Sequence, residues 1–340
     1  SKFGYDLIVL LVRFCYIIVT IFLFFMPKSC SISPIHQSKF KVTVVGCGAV
    51  GATAAYAMLL DSTPTELTLI DLNKDRAHGL LLDFEHSLSF LNYTKITATD
   101  RFAEAKGSNL IVVTAGARQQ EGETRLELIE KNRAIFKEII PQLAAAAPDS
   151  ILLIVTNPVD ILTYEACRLS KFPRNRVFGT GTMLDTARFR FHLSQRLCLN
   201  PKSISAYILG EHGDSSFPVL SSANVAGKPI LEFEEMTPKI VQECYEETKT
   251  AAYRIIHDLG FTCYSIGVVV REIMTHIFQH SRIVEPLSVC LNNYYGHSNV
   301  ALSVPCVLNS GGIADVIQIP LNKLEQKQLA KSVEALKKYL

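Results

Sequence analysis

The chain has 340 residues, 48% apolar and 19% charged, with a formal net charge of +2. That length fills one large domain or two, and a near-neutral balance with no basic block gives no surface for nucleic acid. Nine cysteines, an odd number scattered without a C-x-x-C pair, fit neither a disulfide framework nor a zinc site, and point to a reduced, cytoplasmic compartment.

The first forty residues stand apart. Leu7 to Met26 reads LIVLLVRFCYIIVTIFLFFM, long enough to span a bilayer and interrupted only by Arg13. At mid-membrane that arginine costs roughly 2.5–3.5 kcal/mol, which the surrounding apolar residues can offset. Three readings stay open: a membrane anchor, a cleaved leader, or upstream sequence that the working protein lacks, since Met26 is the first methionine. Residues 1–38 are therefore set aside from the fold.

Lys41 to Val45 is a β-branched run that enters Gly46-Cys47-Gly48-Ala49-Val50-Gly51, and a small-residue helical pattern follows over Ala52 to Leu60. Strand, glycine turn and helix come in the order a dinucleotide site requires. Gly46 makes the tight turn, Gly48 lets backbone approach a pyrophosphate, and Gly51 lets helix pack on strand. A second strand, Glu66 to Ile70, ends in Asp71, twenty residues past the last glycine, where a carboxylate meets ribose hydroxyls. Asp71 also suits the cap of the next helix. Leu72 follows rather than a basic residue, which favours NAD over NADP as cofactor.

The alternation continues with a helix over Lys74 to Phe90, a strand over Asn109 to Thr114, a long helix over Leu126 to Ala147 and a strand over Ser150 to Val155. Unbroken apolar strands between helices predict an α/β protein with a Rossmann-type doubly wound parallel sheet, its ligands at the carboxyl strand ends. Two loops belong there. Ala117 to Arg125 is long and polar, with glycines at 116 and 122, the makings of a lid. Thr156-Asn157-Pro158-Val159-Asp160 places an amide, Asn157, at a strand end.

Farther on, Asp185 and Arg188 are three apart, so a helix presents both on one side. They form either a helical pair that binds only itself or a separated set. In the second reading Asp185 accepts the Nδ1–H of His212, a proton donor held between glycines in Gly210-Glu211-His212-Gly213-Asp214, and Arg188 grips a substrate carboxylate. His276 and His280 have the spacing of a metal pair on a helix, but no third ligand is evident and no metal is expected.

The ordered set GCGAVG, TAGARQQEGETR, VTNPVD, GTMLDTARFR and GEHGDSS resembles the lactate/malate dehydrogenase family, and within it the L-lactate dehydrogenases. The likeness runs from about Lys41 to the closing amphipathic helix. It implies a Rossmann domain over 39–180, a mixed α/β substrate-binding domain over 181–340, and a homotetramer. It also implies catalytic roles for His212 as acid/base, Asp185 as its partner, Arg188 on the carboxylate and Arg125 on the ketone. Asn157 and Thr262 would line the substrate site, and Gln119, a neutral residue where the malate enzymes carry arginine, would favour pyruvate over oxaloacetate. The NAD contacts so implied are Val50, Asp71, Arg76, Gly116, Ala117 and Asn132, to which the strand end at Val155 and Asn157 is added.

Overall fold

The computed structural model describes residues 39–117 and 122–340. The expected leader and Gln119 lie outside the described residues. Among the described residues no helix is long and apolar enough to cross a membrane.

Five short strands open the fold: β1 (Lys41–Val45), β2 (Glu66–Ile70), β3 (Lys95–Thr99), β4 (Leu110–Val113) and β5 (Ile151–Ile154). β4 and β5, Leu-Ile-Val-Val and Ile-Leu-Leu-Ile, are buried at every position, because helices cover both faces of the sheet. With β6 (Val177–Gly179) they pair in the order β3-β2-β1-β4-β5-β6, every pair parallel. The order reverses between β1 and β4. That switch point leaves a crevice at the carboxyl ends of the two strands, into which the glycine turn and the 114–117 loop both emerge.

The intervening helices are α1 (Ala49–Asp61), α2 (Lys74–Ser87), α3 (Arg125–Ala146) and α4 (Val159–Ser170). α3 starts with a full capping box, in which the Thr124 hydroxyl accepts from the Glu127 N–H and the Glu127 carboxylate accepts from the Thr124 N–H. Arg125, expected on the lid, is therefore the first residue of a capped helix.

The second half supplies α5 (Met183–Leu197), β7 (Ile204–Leu209), β8 (Phe217–Val225), β9 (Lys228–Pro229), α6 (Pro238–Leu259), α7 (Tyr264–Phe278), β10 (Ile283–Cys290), β11 (Ala301–Asn309), β12 (Gly312–Val316) and α8 (Lys323–Lys337). β10 pairs antiparallel with β6, Ser288 opposite Gly179, and β11 and β12 extend the same sheet to nine strands. The position-180 boundary thus falls inside one sheet. The main core crosses it as well, joining Val44 and Leu69 to Phe178, Leu209 and Val304. β7, β8 and β9 form a separate three-stranded sheet, backed by a smaller core in which Phe189 and Leu193 of α5 meet Ile208 and Met236.

Candidate active site

The glycine turn shows why each glycine is there. At Gly46, with φ at +97°, a Cβ would come 2.6 Å from the Ala115 nitrogen, and at Gly51 it would strike the Gly46 carbonyl oxygen. Gly48 is different. It caps α1 with no side-chain hydrogen bond, and nothing lies within 4 Å of where its Cβ would be. The helix start is thus bare backbone with free N–H groups facing open space, which suits a phosphate. Val50 is half-buried against the core.

Asp71 stands beside this turn. Its carboxylate accepts the Cys47 N–H at 2.6 Å and the Asn73 N–H at 2.8 Å, with Arg76 Nη1 3.9 Å away. Capping of α2 falls instead to Asn73, whose side chain accepts the Arg76 N–H. Burial, followed by the Asp71 charge, pushes the Cys47 thiol up to about 12, so it stays protonated. A bare helix start with a carboxylate alongside fits a dinucleotide.

Asn132, expected among the cofactor contacts, is fully buried in α3. Its Oδ1 accepts the Ala117 N–H at 2.7 Å and its Nδ2 donates to the Asn157 carbonyl at 2.8 Å. It ties together the loops after β4 and β5 and presents no open surface. Gly116 is needed for the same closeness, since a Cβ there would strike Thr156 Cγ2. Val155 is buried directly after β5, whereas Asn157 is exposed at the crevice.

Arg125 of α3, Asn157, Asp185 and Arg188 of α5, His212 and Lys249 of α6 line one cavity of about 390 Å³. His212 Nδ1 lies 2.6 Å from Asp185 Oδ2. A carboxylate at that distance requires Nδ1 to donate, which leaves Nε2 as the reactive nitrogen. Arg188 Nη1 donates to the other oxygen, Oδ1, at 3.0 Å. The expected alternatives merge here, because Asp185 serves the imidazole and the guanidinium together.

The electrostatics follow. Burial pushes the His212 pKa down, but the Asp185 charge, the hydrogen bond to it and the Asp160 charge outweigh burial and raise it above its ordinary value. Burial pushes Asp185 up, while His212 and Arg188 pull it below the usual carboxylate range. Arg125 is held by hydrogen bond and charge to Glu211, a 2% exposed carboxylate that also accepts from the Ser215 hydroxyl. Burial lowers the Arg125 pKa, but Glu211 reverses this and raises it.

The sequence reading missed Glu211 and Asp160. Both stand inside quoted motifs, yet their signal is only that an acid next to an apolar strand or opening an apolar helix must find a buried partner. Thr262 lies half-buried in the loop before α7 and does not line the cavity. His280 lies beyond the end of α7 with its Nδ1 on Ser310, so it does not share a helix face with His276.

Models of the lactate/malate dehydrogenase NAD binding domain and of the lactate/malate dehydrogenase alpha/beta C-terminal domain match residues 40–179 and 182–340. The chain belongs to the lactate/malate dehydrogenase family. Among its relatives in that family, the L-lactate dehydrogenase of Clostridium botulinum is 41% identical over 305 residues, 88% of this chain and 96% of that protein. The L-lactate dehydrogenase of Acetivibrio thermocellus is 41% identical over 307 residues, with the same shares covered. Among solved structures, MGS-M5, a lactate dehydrogenase from a Medee basin deep-sea metagenome library, superposes with a TM-score of 0.86 at 38% identity, covering 89% of this chain and 98% of that one. The parallel part of the nine-stranded sheet ends where the NAD-binding match ends.

Proposed function

We propose that the chain is an NAD-dependent L-lactate dehydrogenase that interconverts pyruvate and (S)-lactate. The observation that carries the reading is the 2.6 Å contact between His212 Nδ1 and Asp185, in a cavity that also holds two guanidiniums. Arg188 keeps donors beyond the one spent on Asp185, and these grip the substrate carboxylate. His212, protonated and oriented by Asp185, gives its Nε2 proton to the ketone oxygen during reduction and takes it back during oxidation. Arg125 stabilises the negative charge that develops on that oxygen. NAD, when bound, supplies or accepts the hydride. Gly46, Gly48 and Gly51 with Asp71 hold it, and Asn157 lies where nucleotide and substrate meet.

Residues 39–180 serve as the nucleotide-binding domain and 181–340 as the substrate domain. The resemblance extends this to a cytoplasmic homotetramer. Gln119 is assigned the methyl end of pyruvate. A neutral amide there leaves the second carboxylate of oxaloacetate desolvated and unpaired, a penalty of several kcal/mol. The test compares NADH oxidation with each acid. A kcat/KM at least about a hundredfold higher for pyruvate fits the reading, given such a penalty; a preference for oxaloacetate contradicts it.

A further inference from the structure

A buried carboxylate lies directly behind the loop that carries His212. Asp160, in the first turn of α4, is 2% exposed, and its two oxygens face two different elements. Oδ2 accepts the backbone N–H of His212 at 2.7 Å, and Oδ1 accepts the hydroxyl of Ser288 in β10 at 2.6 Å. Both donors are neutral, and among the described residues no lysine or arginine forms an ion pair with it. A buried anion held only by neutral donors is a costly way to pack a helix against a strand, since a neutral side chain of similar size makes comparable contacts without desolvating a charge.

The arrangement makes sense through His212. His212 meets acids from two different helices, Asp185 of α5 at its ring Nδ1 and Asp160 of α4 at its backbone N–H. We infer that Asp160 is a positioning residue for the proton transfer: it fixes the backbone at residue 212, and its negative charge adds to that of Asp185 in favouring the imidazolium. The inference rests on the reading of His212 as the acid/base.

The other charged groups around the pair leave room for this role. Arg188 of α5 opposes the imidazolium, Arg125 of α3 pairs with Glu211, and Lys249 of α6 lines the same cavity. Asp160 in turn faces His212 and Glu211. Burial pushes the Asp160 carboxyl up to about 6, against the pull of the Ser288 hydroxyl and the His212 N–H, which leaves it mostly charged at neutral pH.

Asp160→Asn tests this by keeping an acceptor for the His212 N–H while removing the charge. Reduction of pyruvate needs protonated His212, so kcat/KM falls as pH rises through its pKa, and loss of a neighbouring negative charge brings that fall to lower pH. The expected result is a loss on the order of tenfold near pH 8 and under about threefold near pH 6, where wild-type Asp160 is itself becoming protonated. Ser288→Ala leaves the carboxylate and its bond to His212 but strips a hydroxyl that stabilises the charge, so it moves the basic limb the same way by less. It decides the matter alone if the asparagine variant does not fold, as judged by NADH fluorescence. A purely structural Asp160 lowers activity equally at every pH, and an unmoved basic limb in the folded variants overturns the inference. A wild-type protein that turns over no pyruvate overturns the lactate dehydrogenase reading instead.

Discussion

His212 has to be a cation inside a pocket that disfavours cations. Two carboxylates solve this, and the sign of each shift sets a pH window. The raised pKa of His212 means that its pairing stabilises the fold below the ordinary histidine value and is lost as pH rises through the folded one. The lowered pKa of Asp185 means that its contribution is present above the ordinary carboxylate value and fades as pH falls. The two overlap across the weakly acid to neutral range. The two guanidiniums separate by role. Arg125, proposed to act only on developing charge, should show in kcat: Arg125→Gln is expected to lower it by about 10²–10³-fold with a smaller change in KM. Arg188, proposed to bind the carboxylate in ground and transition states alike, should show mainly in KM when replaced by Gln. Steady-state kinetics with pyruvate read both, and a reversed split reverses the assignment. His212, Asp185 and both arginines were legible through the family resemblance that their ordered motifs carry, not by spacing alone. Asp160 and Glu211 were not, since Asp160 meets His212 across 52 residues of chain and Glu211 meets Arg125 across 86.

At the scale of elements, much of the first half of the chain could be read directly, but β3, a half-buried edge strand of sequence KITAT, carries no apolar run and was not legible. β1 and β2 begin and end where apolar, β-branched runs do, because strands covered on both faces of a parallel sheet have to be largely apolar. Helix starts were harder. α3 begins one residue earlier than its apolar pattern, since Thr124 and Glu127 cap it, and that residue is Arg125. One helix of the second half presses on the cofactor helix itself. In α7, a Cβ on Gly267 would sit 2.7 Å from Thr53 Cγ2 and 3.1 Å from the Thr53 carbonyl oxygen of α1. Gly267→Ala is therefore expected to cost about 1–3 kcal/mol by overpacking, read as a lower thermal midpoint. Because the strain falls on α1, NADH affinity should weaken too. A variant with unchanged melting and unchanged NADH binding shows that the contact relaxes freely.

For the whole molecule, a doubly wound sheet was legible and its extent was not. Nothing in the local pattern of Ile283 to Val316 says that β10 attaches antiparallel to β6, because that pairing joins segments more than a hundred residues apart. Yet this attachment brings Ser288 of β10 to Asp160, whose other oxygen holds the backbone of His212. Four separate stretches of chain have to meet before a keto acid can be gripped, charged and protonated together. The most direct measurement of that claim is single-turnover oxidation of NADH by pyruvate in the wild type and in His212→Gln, with NADH affinity measured in both. The glutamine variant is expected to bind NADH as the wild type does while hydride transfer falls by at least about 10³-fold. Pyruvate reduction by that variant within tenfold of the wild type contradicts it.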